Sequence, residues 1–401
     1  MRPRLLILPL ALAVAACNSD KATSPNGLTI APRNAIAAGD NFTCVLNPQG
    51  AAQCWGANQV GQLGGGAIAS SGGLTLVSGG HRFTQIAATI STACAVADDG
   101  SAWCWGANHG ALGNGSVDSS AVPVPVFGGL HFQLLAGAGT AFCGLTTAGS
   151  VYCWGLNDFG QLGNGTRSST VAPVAVSGGQ TFTGLTAALW AACGITSSGS
   201  AFCWGANSLG QLGIGSQGPS VTTPTAVLGG LSFSDMKLGS ATSCGIAAGA
   251  TYCWGTNFSG SLGITDTSTR ALQPTPISGG QTFTSVFPGG GNNIFTPVCA
   301  LTSAGAAYCW GANHNAQLGT TATTATCPYG TGQTVACSST PLAVTGGLAF
   351  QALAVGAEHV CGITTTGQVA CWGLNDRGQL GGGTAAATSS SPVIVPGVNV
   401  P

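Results

Sequence analysis

Charge is what this 401-residue chain has least of: Asp, Glu, Lys and Arg together are 5% of it, against roughly 25% in an average globular protein. It holds a single glutamate, Glu358, and five histidines. Nine basic residues stand against ten acidic ones. With no surplus of cations to neutralise phosphates, nucleic acid is excluded as a partner. Helix-period stretches are missing beyond the first 17 residues, and so is any later apolar run near the ~20 residues that a spanning helix needs. The lack of charge does not signal disorder, because 44% of the residues are hydrophobic. No G-x-S-x-G, H-E-x-x-H or phosphate-loop pattern occurs. The glycines here suit turns that need positive φ, and no helix follows them to receive a phosphate.

Glycine and cysteine are present in excess, at 66 and 17 residues. Seventeen cysteines suit an oxidising compartment. The N-terminus agrees. Met-Arg-Pro-Arg precedes LLILPLALAVAA and Cys17, a basic segment and a short apolar segment of the kind that directs export. Val14-Ala15-Ala16-Cys17 resembles the bacterial lipobox, which implies cleavage before Cys17 and lipidation of its sulfur. Asn18 after the cysteine points, by analogy with enteric bacteria, to an outer-membrane lipoprotein or the cell surface. Residues 1–16 are thus expected to be a signal peptide, 17–33 a polar tether, and 34–401 the folded body.

The triplet Cys-Trp-Gly occurs seven times, with tryptophans at 55, 105, 154, 204, 254, 310 and 372. Each triplet opens a variant of CWGxNxxGQLG, as in CWGANQVGQLG from Cys54 and CWGLNDFGQLG from Cys153. A short apolar run and usually a Gly-Gly pair follow. Before each triplet the spacing fixes a hairpin. Cys94 and Cys104 flank Asp98-Asp99-Gly100, a favoured three-residue loop with glycine last. Pairing outward from that loop sets the two cysteines face to face. The same holds for Cys44 and Cys54, Cys143 and Cys153, Cys193 and Cys203, Cys299 and Cys309, and Cys361 and Cys371. Cys244 and Cys253 lie one residue closer, and there the loop shortens to Ala248-Gly249, so the pairing survives. Opposed residues of antiparallel strands suit disulfide geometry, which predicts seven cross-strand bridges. Cys327 and Cys337 remain to pair with each other inside an insertion. Zinc is disfavoured by the cysteine spacing and the few histidines; no metal or cofactor is expected. Small residues also oppose aromatics across these hairpins, as at Gly194 and Phe202.

A unit of about 50 residues cannot bury a core alone, whereas seven arranged radially can. The repeat closely resembles that of the regulator-of-chromosome-condensation family, over residues 34–396. The resemblance implies an all-β, seven-bladed β-propeller, here with one cross-strand disulfide per blade. Family members more often carry histidine near the first cysteine position, as at His359 beside Cys361. The chain starts with Ile36-Ala37-Ala38-Gly39 and ends near Pro392-Val393, which suggests that the termini meet in one blade and close the ring.

The inventory for chemistry is thin, and no catalytic residue is assigned. Asp98-Asp99 reads as a solvated turn, and Glu358-His359 is the one adjacent acid–imidazole pair. His109 and His314 share a phase of the repeat. Two consecutive copies carry insertions, FPGGGNNIFTP at 287–297 and a segment at 320–340 containing CPYGTGQTVAC. Inserted loops on a rigid scaffold are where binding concentrates, which makes Phe287, Phe295 and Tyr329 the candidate contact aromatics. The function expected is a non-enzymatic, lipid-anchored scaffold binding a protein or cell-envelope polymer. The alternative is inhibition of a secreted or periplasmic enzyme, implied by likeness to bacterial propellers of this family that block β-lactamases. A propeller enzyme and guanine-nucleotide exchange, the activity of the family's name-giving member, rank below these; exchange fits poorly with an exported chain.

Overall fold

The computed structural model describes residues 34–266, 268–292, 295–322, 325–329, 333–382 and 386–401. Seven antiparallel sheets follow one another along the chain, at 36–76, 83–125, 132–175, 184–226, 233–276, 285–343 and 350–399. Six have four strands and the sixth has five. Within a blade the strands run in chain order from the central channel outwards, except for the added fifth strand. Among the described residues the named helical element is a single turn, Phe258–Gly260. The outer strands carry prolines such as Pro123, Pro173, Pro224, Pro274 and Pro392, which blunt an exposed edge against further pairing.

The hairpin arithmetic holds in every blade. Cys44 faces Cys54, Cys193 faces Cys203, and Cys244 faces Cys253 across its shorter turn. All seven such pairs are bridged, with Cα atoms 4.0–4.1 Å apart. Each closes a short loop and is worth about 2–3 kcal/mol in the chain-entropy model. The small residues opposite aromatics have a further cause. A Cβ on Gly194 would lie 2.3 Å from the Phe182 ring, and one on Gly144 would lie 2.4 Å from Phe132. The space is kept for the phenylalanine at or just before the inner strand of the same blade.

Consecutive blades are joined by a repeated contact. The Trp105 indole N–H donates to the Gln62 carbonyl of the preceding blade at 3.0 Å. Trp154, Trp204, Trp254, Trp310 and Trp372 repeat this on Ala111, Gln161, Gln211, Ser261 and Gln317, at 2.9–3.1 Å. Trp55 completes the circle on Gln379 at 2.9 Å. All seven tryptophans are fully buried. The last glycine of each GQLG-type loop lies against the next blade's indole: Gly163 has φ +65°, and its Cβ would sit 2.7 Å from Trp204 Nε1.

Ring closure differs from the expectation. Strand Ile36–Ala38 belongs to the first sheet and strand Thr388–Asn399 to the seventh, so the termini do not share a blade. They meet at the seam instead. In five blades the phenylalanine entering the next blade donates its N–H to the tip glycine of the blade before, as Phe83 does to Gly50 at 2.7 Å. Val400 makes that bond to Gly367 at 2.8 Å. Val398 and Val400 pack in one buried cluster with Ala35 and Ile36. The C-terminus thus takes the slot of a phenylalanine that would begin an eighth blade.

Two measurements check these locks. Gly163→Ala should cost about 2–4 kcal/mol in denaturant melts, whereas Gly179→Ala, with φ +68° and nothing within 4 Å of the new Cβ, should cost only about 1 kcal/mol of backbone strain. Equal losses would remove the indole from the account. Val400→Asp should lower the melting temperature by several degrees, and an unchanged melt would leave the seam without a role.

Candidate functional site

Alternating strand direction sends the turns of each blade to two faces. One carries the hairpin tips. The other, the motif face, carries the CWGxNxxGQLG loops and the turns between first and second strands. The motif loops are built from their own side chains. Asn157 Oδ1 accepts the Leu162 N–H at 3.0 Å, its Nδ2 donates to the Thr166 and Ser168 carbonyls, and Gln161 Oε1 accepts the Phe159 N–H. The motif is therefore spent on loop structure and on seating the next indole.

Both insertions emerge from the sixth blade on the motif face. The first joins strands Ser285–Pro288 and Pro297–Leu301. It lies across the mouth of the channel and touches three other blades. Gly289 O accepts the Ser240 N–H, Gly291 O accepts the Ser240 hydroxyl at 2.6 Å, and the Gly290 N–H donates to Val355 O at 3.3 Å. The Asn292 N–H donates to Asp40 Oδ1 at 3.1 Å. The second insertion forms a hairpin of strands Ala325–Tyr329 and Gln333–Ala343. Cys327 faces Val335 and Cys337 faces Ala325, so the Cys327–Cys337 bridge runs diagonally, with Cα atoms 5.8 Å apart.

The two insertions come together. Phe295 from the first and Thr334, Val335 and Ala336 from the second line a recess of about 320 Å³ with His314. The rings of Phe295 and His314 meet edge to face at 6.4 Å. Behind them His314 Nε2 lies 3.0 Å from Glu358 Oε1 of the seventh blade, and Asn315 Nδ2 donates to Glu358 Oε2 at 2.8 Å. The pair is part-exposed, at 30% and 20% of the side chains.

Of the three aromatics expected at this surface, Phe295 lies in the recess. Tyr329 ends the first strand of the hairpin, opposite Gln333. Phe287 is a correction. It stands opposite Cys299 on the inner strand, 9% exposed and packed in the core with Leu318 and Trp372. The insertion's first residue still continues the strand, so this ring is structural. Cys17 lies outside the described residues.

Glu358 and His359 are neighbours in sequence and do not act as a pair. Glu358 turns to His314, while His359 is fully buried with Nε2 2.9 Å from Thr43 Oγ1. Burial holds the His359 pKa down at about 4, against smaller raising effects of the Asp40 backbone and the Asp376 charge. Asp40 moves the other way, to about 6, because burial and the charge of Glu358 outweigh the Asn292 N–H. Asp99 stays at a hairpin tip, where the Ser101 hydroxyl and N–H hold its pKa low. His131 caps that tip through the Asp99 carbonyl, and His81 lies against Trp103 with its ring tilted by 36°. His109 and His314 lie in different surroundings: His109 borders a recess with Val117 and Leu156. Among the described residues no three His, Cys, Asp or Glu side chains gather to hold a metal ion, and no helix is long and apolar enough to cross a membrane.

Comparisons with known proteins agree with this architecture. A family model described as "Regulator of chromosome condensation (RCC1) repeat" matches residues 148–198 and 198–246, and a second model of that description matches 34–62 and 350–379. No curated protein matches the chain. Human WBSCR16 superposes with a TM-score of 0.71 at 20% identity, over 82% of this chain and 86% of that one. Prp20p from Saccharomyces cerevisiae gives 0.68 at 20% identity, over 80% of each. Yeast RCC1 (Prp20) bound to Kap60 gives 0.74 at 16%, over 98% of this chain and 91% of that one. At such identities the likeness is one of fold.

The two shifted groups oppose each other in acid. Asp40, raised from 3.8, contributes stability that is present below pH 4 and lost as pH rises through about 6. His359, lowered from 6.5, contributes stability that is present above pH 6.5 and lost as pH falls towards 4. Asp40→Asn should remove the first contribution. The variant should gain roughly 1–3 kcal/mol over the parent at pH 8, and then lose stability more steeply between pH 7 and 5. Parallel pH profiles for the two proteins would contradict this assignment.

Proposed function

We propose that this chain, a member of the RCC1-repeat family folded as a seven-bladed β-propeller, is a lipid-anchored scaffold outside the cytoplasm that binds a protein or cell-envelope polymer. The observation that carries the proposal is the convergence of both sixth-blade insertions on one recess beside Phe295, His314 and Glu358. The remaining blades follow the repeat closely, so the departures from it are concentrated where a partner could read them. Disulfide-bridged hairpins reduce the ordering cost of binding. Similar proteins give general support. The Prp20p structure is described together with its binding to Gsp1p and histones, and the yeast RCC1 structure holds Kap60.

In this reading residues 1–16 are removed as a signal peptide, Cys17 carries lipid, residues 17–33 form the tether and 34–401 the binding body. The wheel acts by holding a surface still. His314 spends Nε2 on Glu358 and lies within 3.4 Å of Gln317 through Nδ1, which suits a rigid recognition side chain better than a proton carrier.

Capture from envelope extracts tests this. The disulfide-intact mature protein should retain a specific partner, and a variant lacking residues 320–340 should lose it at least about ten-fold, which is ~1.4 kcal/mol. Phe295→Ala with His314→Ala should weaken it in the same direction. Undiminished capture by both variants would move the binding surface elsewhere. Inhibition of a secreted hydrolase by the intact protein alone would narrow the partner to an enzyme. Cys17→Ser should shift the protein from the membrane fraction to the soluble one.

A further inference from the structure

Seven of the eight disulfides are one repeated object, set between the second and third strands with both cysteines at 0% exposure. The eighth is different. Cys337 is also fully buried, but Cys327 is half-buried, and it is the one bridged cysteine of the sixteen that is not sealed. Its strand, Ala325–Tyr329, is the added outermost strand of the five-stranded sheet and pairs with one neighbour only. Thiol–disulfide exchange requires a thiolate to reach a sulfur along the bond axis, so access separates labile bridges from inert ones. Reaching a blade bridge requires opening a blade. Reaching Cys327 does not.

We propose that Cys327 is a site of thiol–disulfide exchange, with small thiols and accessible protein dithiols as the reacting class, and that exchange there adjusts the sixth-blade recess. The second half rests on the reading of that recess as the binding surface. In the first step the incoming thiolate sulfur bonds to Cys327 Sγ and the Cys327–Cys337 bond breaks. The electron pair leaves with Cys337 Sγ, which takes a proton from water. A second thiolate then attacks the incoming sulfur and displaces Cys327 as a thiolate, which is protonated in turn. Two electrons have passed to the protein, and the reductant leaves as its disulfide.

The structural result follows from the register. Cys337 stays fixed, because it pairs with Ala312 where the outer strand of the blade begins. Strand Ala325–Tyr329 keeps its hydrogen bonds to Gln333–Cys337 and its contact with the Phe258–Gly260 turn of the fifth blade, but a two-stranded ribbon that loses its covalent tie is weakly held in water. Thr334, Val335 and Ala336, which form one wall of the recess, lie on the strand that loses its tied neighbour. Reduction therefore loosens the binding wall and leaves the wheel intact.

The mature protein would be titrated with dithiothreitol under native conditions, and newly freed thiols mapped by differential alkylation and mass spectrometry. Cys327 and Cys337 should become reactive at a reductant concentration at least about ten-fold below that for any blade cysteine. Hydrogen exchange should rise over residues 325–337 and stay unchanged in the blades. Blade bridges opening at the same concentration, or a Cys327–Cys337 bridge that persists until the chain unfolds, would overturn the site. A variant with Cys327→Ser and Cys337→Ser should release no thiols in that range and should already show the raised exchange. These readouts need no partner. If the bridge opens selectively and a captured partner binds both forms equally, the exchange site stands and its regulatory role is refuted.

Discussion

One contact carries the wheel: an indole N–H from each blade seated on a backbone carbonyl of the blade before, with a glycine in left-handed conformation leaving room for the ring. An indole donor in a dry interior must be satisfied or its burial is costly. A carbonyl in a tight loop has a fixed direction. Together they set the angle and spacing of adjacent blades, and the seven-fold repetition of that angle closes the circle. Much of the conserved-looking string within the repeat serves this end. The asparagine ties the loop, the glutamine braces it, the leucine fills the space beneath, and the final glycine admits the tryptophan.

The disulfides perform a separate task. They hold each blade's central hairpin in register irrespective of its neighbours, in a chain whose low charge leaves few ion pairs to do so. Strength within the blade is covalent, and strength between blades comes from packing and hydrogen bonds. This division lets the sixth blade accept two insertions without disturbing its core, since Cys299–Cys309 keeps the standard geometry there. The recess between Phe295 and His314 is thus a local elaboration on an unchanged frame.

Hairpin register was legible in the sequence because turn length and side-chain alternation leave one solution, and the shortened loop at Ala248-Gly249 tests it internally. The blade count followed from the repeated triplet. Ring closure is not legible there, since Val400 stands for a phenylalanine at the seam and no pattern in the last residues announces that exchange. Phe287 misled because an aromatic at the edge of an insertion looks exposed, whereas it still belongs to the inner strand. The meeting of His314 with Glu358 spans 44 residues and two blades; only the wheel's curvature brings them together. The small residues at Gly144 and Gly194 were visible as a pattern, but the rings that require them, Phe132 and Phe182, come from the start of the inner strand or just before it.

The seam at Val400 also bears on ancestry and engineering. A propeller whose first and last strands share a sheet is locked to one cutting point, and its ends must evolve as a matched pair. Here every blade is contiguous in the chain and the final join is a borrowed side-chain slot. Whole repeats can therefore be permuted around the ring in a gene, seven being kept, with only the capping residues left to readjust.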